Sequence, residues 1–385
     1  MQEVAIIGAG MTPVAEHWDK SLRELAAEAI RAALDDAGIS KVDALYLGNS
    51  YGATFSSQSH LGALIADYAG LTGVEAFAID AGDASGGAAL RTAYLAVASG
   101  AVETALVVGV EKSADTVGAA RVEARGVSLD ADYEAVHGAT LPALAGLLMR
   151  RYMHEYGVDV SAFEGFSINA HANGRLNRYA MFRNAIRPGA FAKAPMVAEP
   201  VNLFDSAPDG DGAAALVLTR AERAADMAVK PVRIAGSAVA TDTFALQDRA
   251  DLLYLKAAAQ SAQKAYRQVG ISAADVDLFE PHDAFTILTA LALEAAGFAE
   301  RGQGWTLARE VESSIGLQGR LPICTFGGMK SRGNPAGAAG VYQAVEAVLQ
   351  LRGQANENQV KNARTALIQS LGGLSTTAVT HVLTV

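Results

Sequence analysis

The sequence predicts an α/β protein made of one unit repeated twice, and two observations carry that prediction. Short apolar strands alternate with amphipathic helices along the chain, the pattern of a largely buried sheet covered by helices. The alternation also runs through the same steps twice. The chain has 385 residues, 51% of them hydrophobic, enough for two domains with large buried cores.

Each half opens with an apolar strand ending in glycine, Val4-Ala5-Ile6-Ile7-Gly8 and Val232-Arg233-Ile234-Ala235-Gly236. A long helix follows. In the first half Leu22, Leu25, Ala26, Ala29, Ile30, Ala33 and Leu34 recur at helical spacing. Ser21 and Glu24 form a capping box, and Gly38 is placed to end the helix. In the second half the helix is expected from about Asp251 to Gly270. Next come Asp-bearing strands, Val42 to Leu47 and Val276 to Phe279. Gly-rich turns then open second helices, Ser85-Gly86-Gly87 before Ala88 to Ser99 and Gly337 to Gly340 before Val341 to Leu351. Strands Thr104 to Gly109 and Thr365 to Ile368 complete the parallel. The halves are placed at 1–225 and 226–385. The first carries an inserted loop region, about 113–200, with a helix of its own from Leu141 to Tyr156.

Composition excludes several classes. The net charge of −10 argues against a nucleic-acid partner. No apolar run approaches the roughly 18 residues of a membrane span. The acidic start runs straight into a strand and lacks the basic segment of a signal peptide. A single cysteine, Cys324, excludes an internal disulfide and a cysteine-based zinc site. These features together predict a cytoplasmic protein.

Several motifs compete for function. Gly8-Ala9-Gly10 has Pro13 where a dinucleotide fingerprint needs its third glycine, so it reads as a strand-ending turn. Asp209-Gly210-Asp211-Gly212 lacks the other ligands of a calcium loop and also reads as a turn, before a strand from Ala213 to Leu218. His282, in His282-Asp283-Ala284-Phe285, follows a strand end, where α/β folds collect function. The segment Gly327 to Ala338 is glycine-dense and basic, suited to close approach of a ligand and to donation of backbone N–H groups.

In this order the segments resemble the thiolase superfamily, in the branch of archaeal acetyl-CoA acetyltransferases and sterol-carrier-type thiolases. The resemblance rests on Val4 to Pro13, Ala81-Gly82-Asp83-Ala84-Ser85-Gly86-Gly87, Asp205 to Ala213, His282 to Phe285, Gly327 to Gly340 and Ser370-Leu371-Gly372-Gly373. It implies a duplicated five-layer αβαβα fold, with the helices after Asp83 and Asn334 at the centre. It implies a coenzyme A thioester as substrate, no tightly bound cofactor and no metal. It also implies a homodimer or dimer of dimers, paired near Ala76-Phe77-Ala78-Ile79, and a small zinc-ribbon/OB-fold protein as a further partner.

The departures fall on the catalytic atoms. A thiolase carries a nucleophilic cysteine where this chain has Asp83, and a histidine where it has Asn334; His282 remains. Asp83 reads as the N-cap of the following helix, which would hold it ionised and poorly nucleophilic. Cys324 reads either as a small buried apolar residue or as a relocated thiol. Asp83, His282 and Asn334 are the catalytic candidates, with Gly328, Gly333, Ser370 and Gly373 around the substrate. The expected function is making or breaking a carbon–carbon bond of a 3-oxo- or 3-hydroxyacyl-CoA without a cysteine acyl-enzyme. Two other readings stand beside it: a non-catalytic subunit that binds acyl-CoA or a partner, and a divergent acetyl-CoA acetyltransferase.

Overall fold

The computed structural model describes residues 2–187, 189–224 and 230–385. The strands are β1 (Val4–Met11), β2 (Ala44–Gly48), β3 (Glu75–Ile79), β4 (Thr104–Glu111), β5 (Met196–Ala198), β6 (Val201–Asn202), β7 (Gly212–Arg220), β8 (Val232–Thr241), β9 (Leu278–Glu280), β10 (Thr365–Gly372) and β11 (Thr377–Thr384). The helices are α1 (Leu22–Ala37), α2 (Gly52–Phe55), α3 (Leu61–Tyr68), α4 (Ser85–Ser99), α5 (Ala119–Gly126), α6 (Leu141–Tyr156), α7 (Glu164–Gly174), α8 (Ala221–Ala224), α9 (Lys256–Val269), α10 (Thr286–Ala295), α11 (Val311–Ser314) and α12 (Ala339–Arg352). The expected division of the halves at 225/226 lies outside the described residues.

Among the described residues nine strands run in the order β3-β2-β4-β7-β1-β8-β11-β10-β9, and this order shows the duplication. Outward from β1 the pairings are antiparallel to β7, antiparallel to β4, then parallel to β2 and β3. Outward from β8 they are antiparallel to β11, antiparallel to β10, then parallel to β9. The place of β3 is taken in the second half by one parallel bridge, Phe279 to Ile323. The halves meet where β1 pairs with β8 over Ala5–Arg233 and Ile6–Val232.

Side-chain alternation along the strands separates three apolar cores. Val107 of β4 faces a central cluster, while its neighbours Leu106 and Val108 face an outer one, as a period of two requires. The first outer core joins Leu25, Ala29 and Ile30 of α1 and Ile65 of α3 to the first half-sheet. The central core joins Leu90 and Val97 of α4 and Val341, Val345 and Val348 of α12 to both half-sheets. The second outer core joins Ala258 and Ala262 of α9 and Ile287 and Leu291 of α10 to the second half-sheet. The result is the expected αβαβα layering. Each fully buried Val, Leu or Ile in these layers contributes about 1.5–3 kcal/mol.

Three local readings need correction. Gly8-Ala9-Gly10 is no turn, because β1 runs through it to Met11. A Cβ on Gly8 would lie 2.2 Å from the Ala33 carbonyl oxygen, and one on Gly10 2.6 Å from that of Ala29. These glycines let α1 sit directly on the strand. The helix expected from Asp251 starts at Lys256, because the Asp251 carboxylate accepts from the Leu253 N–H and holds a turn there. The capping role given to Asp83 is corrected below.

Within the inserted region α6 begins with Thr140, whose side chain accepts from the Ala143 N–H. Leu144, Leu148 and Met149 of this helix join the second outer core, and the Tyr152 hydroxyl donates to Glu294 at 2.6 Å. Sequence inserted in the first half therefore packs onto the second, and residues of both halves line the cavity beneath it.

Candidate active site

The helices α4 and α12 approach most closely at their N-terminal ends. A Cβ on Gly86 would lie 2.8 Å from the Gly337 carbonyl oxygen, and one on Gly340 2.5 Å from the Gly87 nitrogen. Any side chain there would push the two turns apart. The glycines thereby bring Asp83, before α4, and Asn334, before α12, to one cavity of about 410 Å³. Leu129, Leu141, Pro142, Ala284 and Phe285 give it apolar walls, and Arg121, Arg125, Ser206 and Asp209 add polar groups.

Asp83 does not cap α4. The N-cap is Ala84, with no side-chain hydrogen bond. Asp80 and Ser85 hold the turn instead. The Asp80 carboxylate accepts from the Gly82 N–H at 2.9 Å; the Ser85 hydroxyl accepts from the Ala81 N–H at 2.9 Å and donates to the Gly82 carbonyl at 2.5 Å. Asp83 is 5% exposed, and its Oδ1 has no hydrogen-bond partner among the described residues. Its Oδ2 lies 3.7 Å from Arg125 Nη1. Burial raises the Asp83 pKa, against the lowering effects of Arg125 and Tyr51. The environment thus favours proton uptake, the reverse of the stabilised anion expected from a capping position.

Arg125 was not visible as a site residue in the sequence. It ion-pairs with Asp209 as well as Asp83, and its guanidinium lies 5.0 Å from the centre of the Tyr51 ring. The Tyr51 hydroxyl is buried without a partner among the described residues. Glu111, at the end of β4, is fully buried and accepts from the N–H groups of Ser50, Tyr51 and Gly337. It ties the turn after β2 to the start of α12. Burial pushes its pKa up to about 7, partly offset by the hydrogen bonds from Ser50 and Gly337.

Asn334 is held on both sides. Its N–H donates to the Pro208 carbonyl at 2.9 Å and its carbonyl accepts from the Gly210 N–H at 3.1 Å. The side-chain Oδ1 accepts from the Ala336 N–H at 3.0 Å. That bond fixes the amide so that Nδ2 is the donor left for the cavity that Asn334 lines.

The remaining candidates are dispersed. His282 is 1% exposed and does not line this cavity. Burial lowers its pKa to about 4, helped by Arg125 and Arg332 and opposed by Asp283, so the imidazole is neutral near pH 7. Gly328 packs against the Asp283 carboxylate, and Gly333 against Val14. Ser370 donates to Gln343 at 2.9 Å and lies beside Gly87 and Gly340, in the contact between the central helices. Gly373 lines a separate cavity of about 230 Å³ with Gly82 and Ser128. Cys324 is 3% exposed and outside the cavity, and burial raises its thiol pKa well above the ordinary value. It is a buried small residue and not a relocated thiolate.

Comparison with known proteins agrees with this geometry. Residues 4–198 match the family model for the thiolase N-terminal domain, and residues 238–385 match the thiolase C-terminal domain-like model. The chain belongs to the thiolase family. It is 38% identical to an acetyl-CoA acetyltransferase of Methanothermobacter thermautotrophicus, across 99% of both chains. It is 36% identical to that of Methanocaldococcus jannaschii, across 100% of this chain and 99% of the other. Among solved structures, the Ltp2-ChsH2(DUF35) aldolase superposes with a TM-score of 0.86 at 26% identity, covering 99% of this chain and 97% of that one. Within this thiolase fold, the turn that would hold the nucleophile presents a carboxylate to the cavity. Among the described residues no group of His, Cys, Asp and Glu is arranged to hold a metal ion, and no helix is long and apolar enough to cross a membrane.

Proposed function

We propose that this thiolase-fold chain binds an acyl-CoA and makes or breaks the bond between C2 and C3 by an aldol-type reaction, with Asp83 as the proton carrier. The observation that carries this reading is the free Oδ1 of Asp83, aligned with no helix N–H and belonging to a carboxylate that lines the cavity. In the cleavage direction Asp83 takes the proton of a 3-hydroxyl group. The C2–C3 bond then breaks, a carbonyl compound leaves, and the bonding pair moves into the thioester enolate. The protonated Asp83 returns its proton to C2, and the shortened acyl-CoA departs. The Asn334 Nδ2 donor is assigned to the enolate oxygen, where a positioned donor acts most strongly. His282 takes no part in these proton transfers, since it does not line the cavity, and Gly328 and Gly333 shape the turn that carries Asn334.

The names of the two archaeal relatives suggest acyl transfer. That chemistry needs a thiolate at the cavity, and the single thiol of this chain is Cys324, buried elsewhere. The aldolase name of the 0.86 structural match supports the carbon–carbon reading. In that structure Ltp2 is joined to ChsH2(DUF35), which supports the further proposal of a second protein as partner, expected from the family resemblance to be a small zinc-ribbon/OB-fold protein. Pairing of two copies is proposed along β3, which ends the sheet and exposes 56% of Phe77; an unpaired apolar edge of this kind invites a partner strand. A stable monomer in sedimentation at micromolar concentration would remove the dimer. The setting proposed for the protein is the cytoplasm.

The test is a panel of 3-hydroxyacyl-CoAs incubated with wild-type protein and with Asp83→Asn, with and without a candidate partner. Release of a shorter acyl-CoA by the wild type, lost in Asp83→Asn, supports the reading. Thiolysis of a 3-oxoacyl-CoA by the wild type would refute it.

A further inference from the structure

A second cavity, of about 770 Å³, adjoins the first and shares with it Arg121, Val197, Ser206, Ala207 and Asp209. Its size is that of a site for a small organic ligand. Phe182, Ile186, Leu203 and Phe204 supply apolar wall. The unusual group is Lys330. It lines this cavity yet is only 2% exposed. Its ammonium makes one hydrogen bond, to the Asp205 carbonyl oxygen at 2.5 Å. No carboxylate oxygen of the described residues lies within 4.0 Å of it.

The nearest acids are already engaged. Asp205 accepts from the Thr286 hydroxyl and the Asn202 N–H. Asp283 accepts from the Met329 N–H at 2.7 Å and, at 3.5 Å, from the Lys330 N–H. Among the described residues the ammonium therefore has two N–H donors without an acceptor. A buried charge in that condition is costly unless an opposite charge meets it. Arg121 adds to the imbalance. Its Nε donates to the Thr116 carbonyl at 2.8 Å, and it ion-pairs with no carboxylate of the described residues. Asp209, the one acid on this wall, is bound to Arg125.

We propose that the second cavity receives an acyl group that ends in a carboxylate, apolar along its length and anchored at its far end by Lys330. The inference rests on the acyl-CoA reading above and names the substrate class for it: a CoA monothioester of a dicarboxylic acid, with the thioester at Asp83 and Asn334. The turn that ends in Asn334 carries Lys330 as well, so one rigid segment reads both ends of the acyl group.

The experiment measures binding by calorimetry on the full chain. The ligands are ω-carboxyacyl-CoAs of five to eight carbons, the neutral straight-chain acyl-CoAs of equal length, and free CoA. At one chain length or more, the carboxylate should bind about 10- to 100-fold more tightly, the range of a buried charge-assisted hydrogen bond. Lys330→Met should abolish that preference and leave the affinity for free CoA unchanged. If Lys330→Met does not fold, Lys330→Gln, which keeps a donor for the Asp205 carbonyl, is read in its place. Equal loss of free CoA binding would put a CoA phosphate on the ammonium and overturn the proposal. Binding of CoA thioesters with no carboxylate preference at any length would overturn it alone. Failure of every CoA thioester to bind would overturn the acyl-CoA reading and this inference together.

Discussion

The turns before α4 and before α12 occupy equivalent places in the duplicated fold, yet they treat their polar groups differently. Before α12, Asn334 has its N–H, its carbonyl and its Oδ1 all bonded. Before α4, Asp83 sits under an equally tight backbone but keeps one buried carboxylate oxygen without a partner among the described residues. Buried polar groups are nearly always satisfied. An exception at a cavity, beside a cation that bridges two carboxylates, is the reason the proposed proton transfer is placed at this turn. The satisfied turn is the one that holds a donor still.

The largest expected effect tests the α4 side. Asp83→Asn keeps the shape and removes the proton acceptor, and it should lower carbon–carbon cleavage by about 10²–10⁴-fold with little change in KM. Loss of folding, detected by circular dichroism, would instead make Asp83 a structural residue. On the α12 side, Asn334→Ala removes a fixed donor and should cost about 10²–10³-fold in kcat. A change confined to KM would remove the donor from the transition state.

The contact between the turns is open to a stability measurement. Gly340→Val should destabilise the fold by about 1–3 kcal/mol or more in denaturant titration, because its Cβ would lie 2.5 Å from the Gly87 nitrogen. Unchanged stability would mean that the two helices have room to separate.

A smaller effect is a shift of the pH profile. Burial already places the Asp83 pKa above its ordinary 3.8, so activity should fall with acid at a higher pH than for an exposed carboxylate. Arg125 favours the Asp83 anion. Removing that cation in Arg125→Gln should raise the pKa further and move the acid limb upward. A downward or absent shift would separate Arg125 from the ionisation of Asp83. The smallest effect belongs to Cys324: Cys324→Ser should leave activity unchanged within twofold or so, and iodoacetamide should not inactivate the folded protein.

The layered fold was legible in the sequence because its signals are local and periodic. The Ser21–Glu24 capping box forms as expected, and the paired strand–helix steps of the halves reappear as mirrored sheet order. Asp83 was legible as a position but not as an environment. The helix expected from Ala88 starts at Ser85 with Ala84 as the cap, and that places the Asp83 carboxylate outside the cap and leaves it orphaned instead of capped. Residue type near a helix start cannot separate those cases. Arg125 and Asp209 were not legible as a pair, since tertiary packing of the inserted region brings them together and neither sits in a periodic pattern. His282 was legible through its place after β9, but its burial and lowered pKa depend on neighbours that the sequence does not order. Lys330 was legible only as part of a basic, glycine-dense loop; its burial follows from the packing of that loop against Asp205 and Asp283.

The most direct test of the central claim is mass spectrometry of the protein and its products together, during turnover of a 3-hydroxyacyl-CoA that the enzyme cleaves. Asp83 as a proton carrier predicts a protein mass that stays unmodified while a carbonyl compound and a shorter acyl-CoA accumulate in equal amounts. An acyl adduct mapped to Asp83 or to Cys324 would contradict the account and return the chain to covalent acyl transfer.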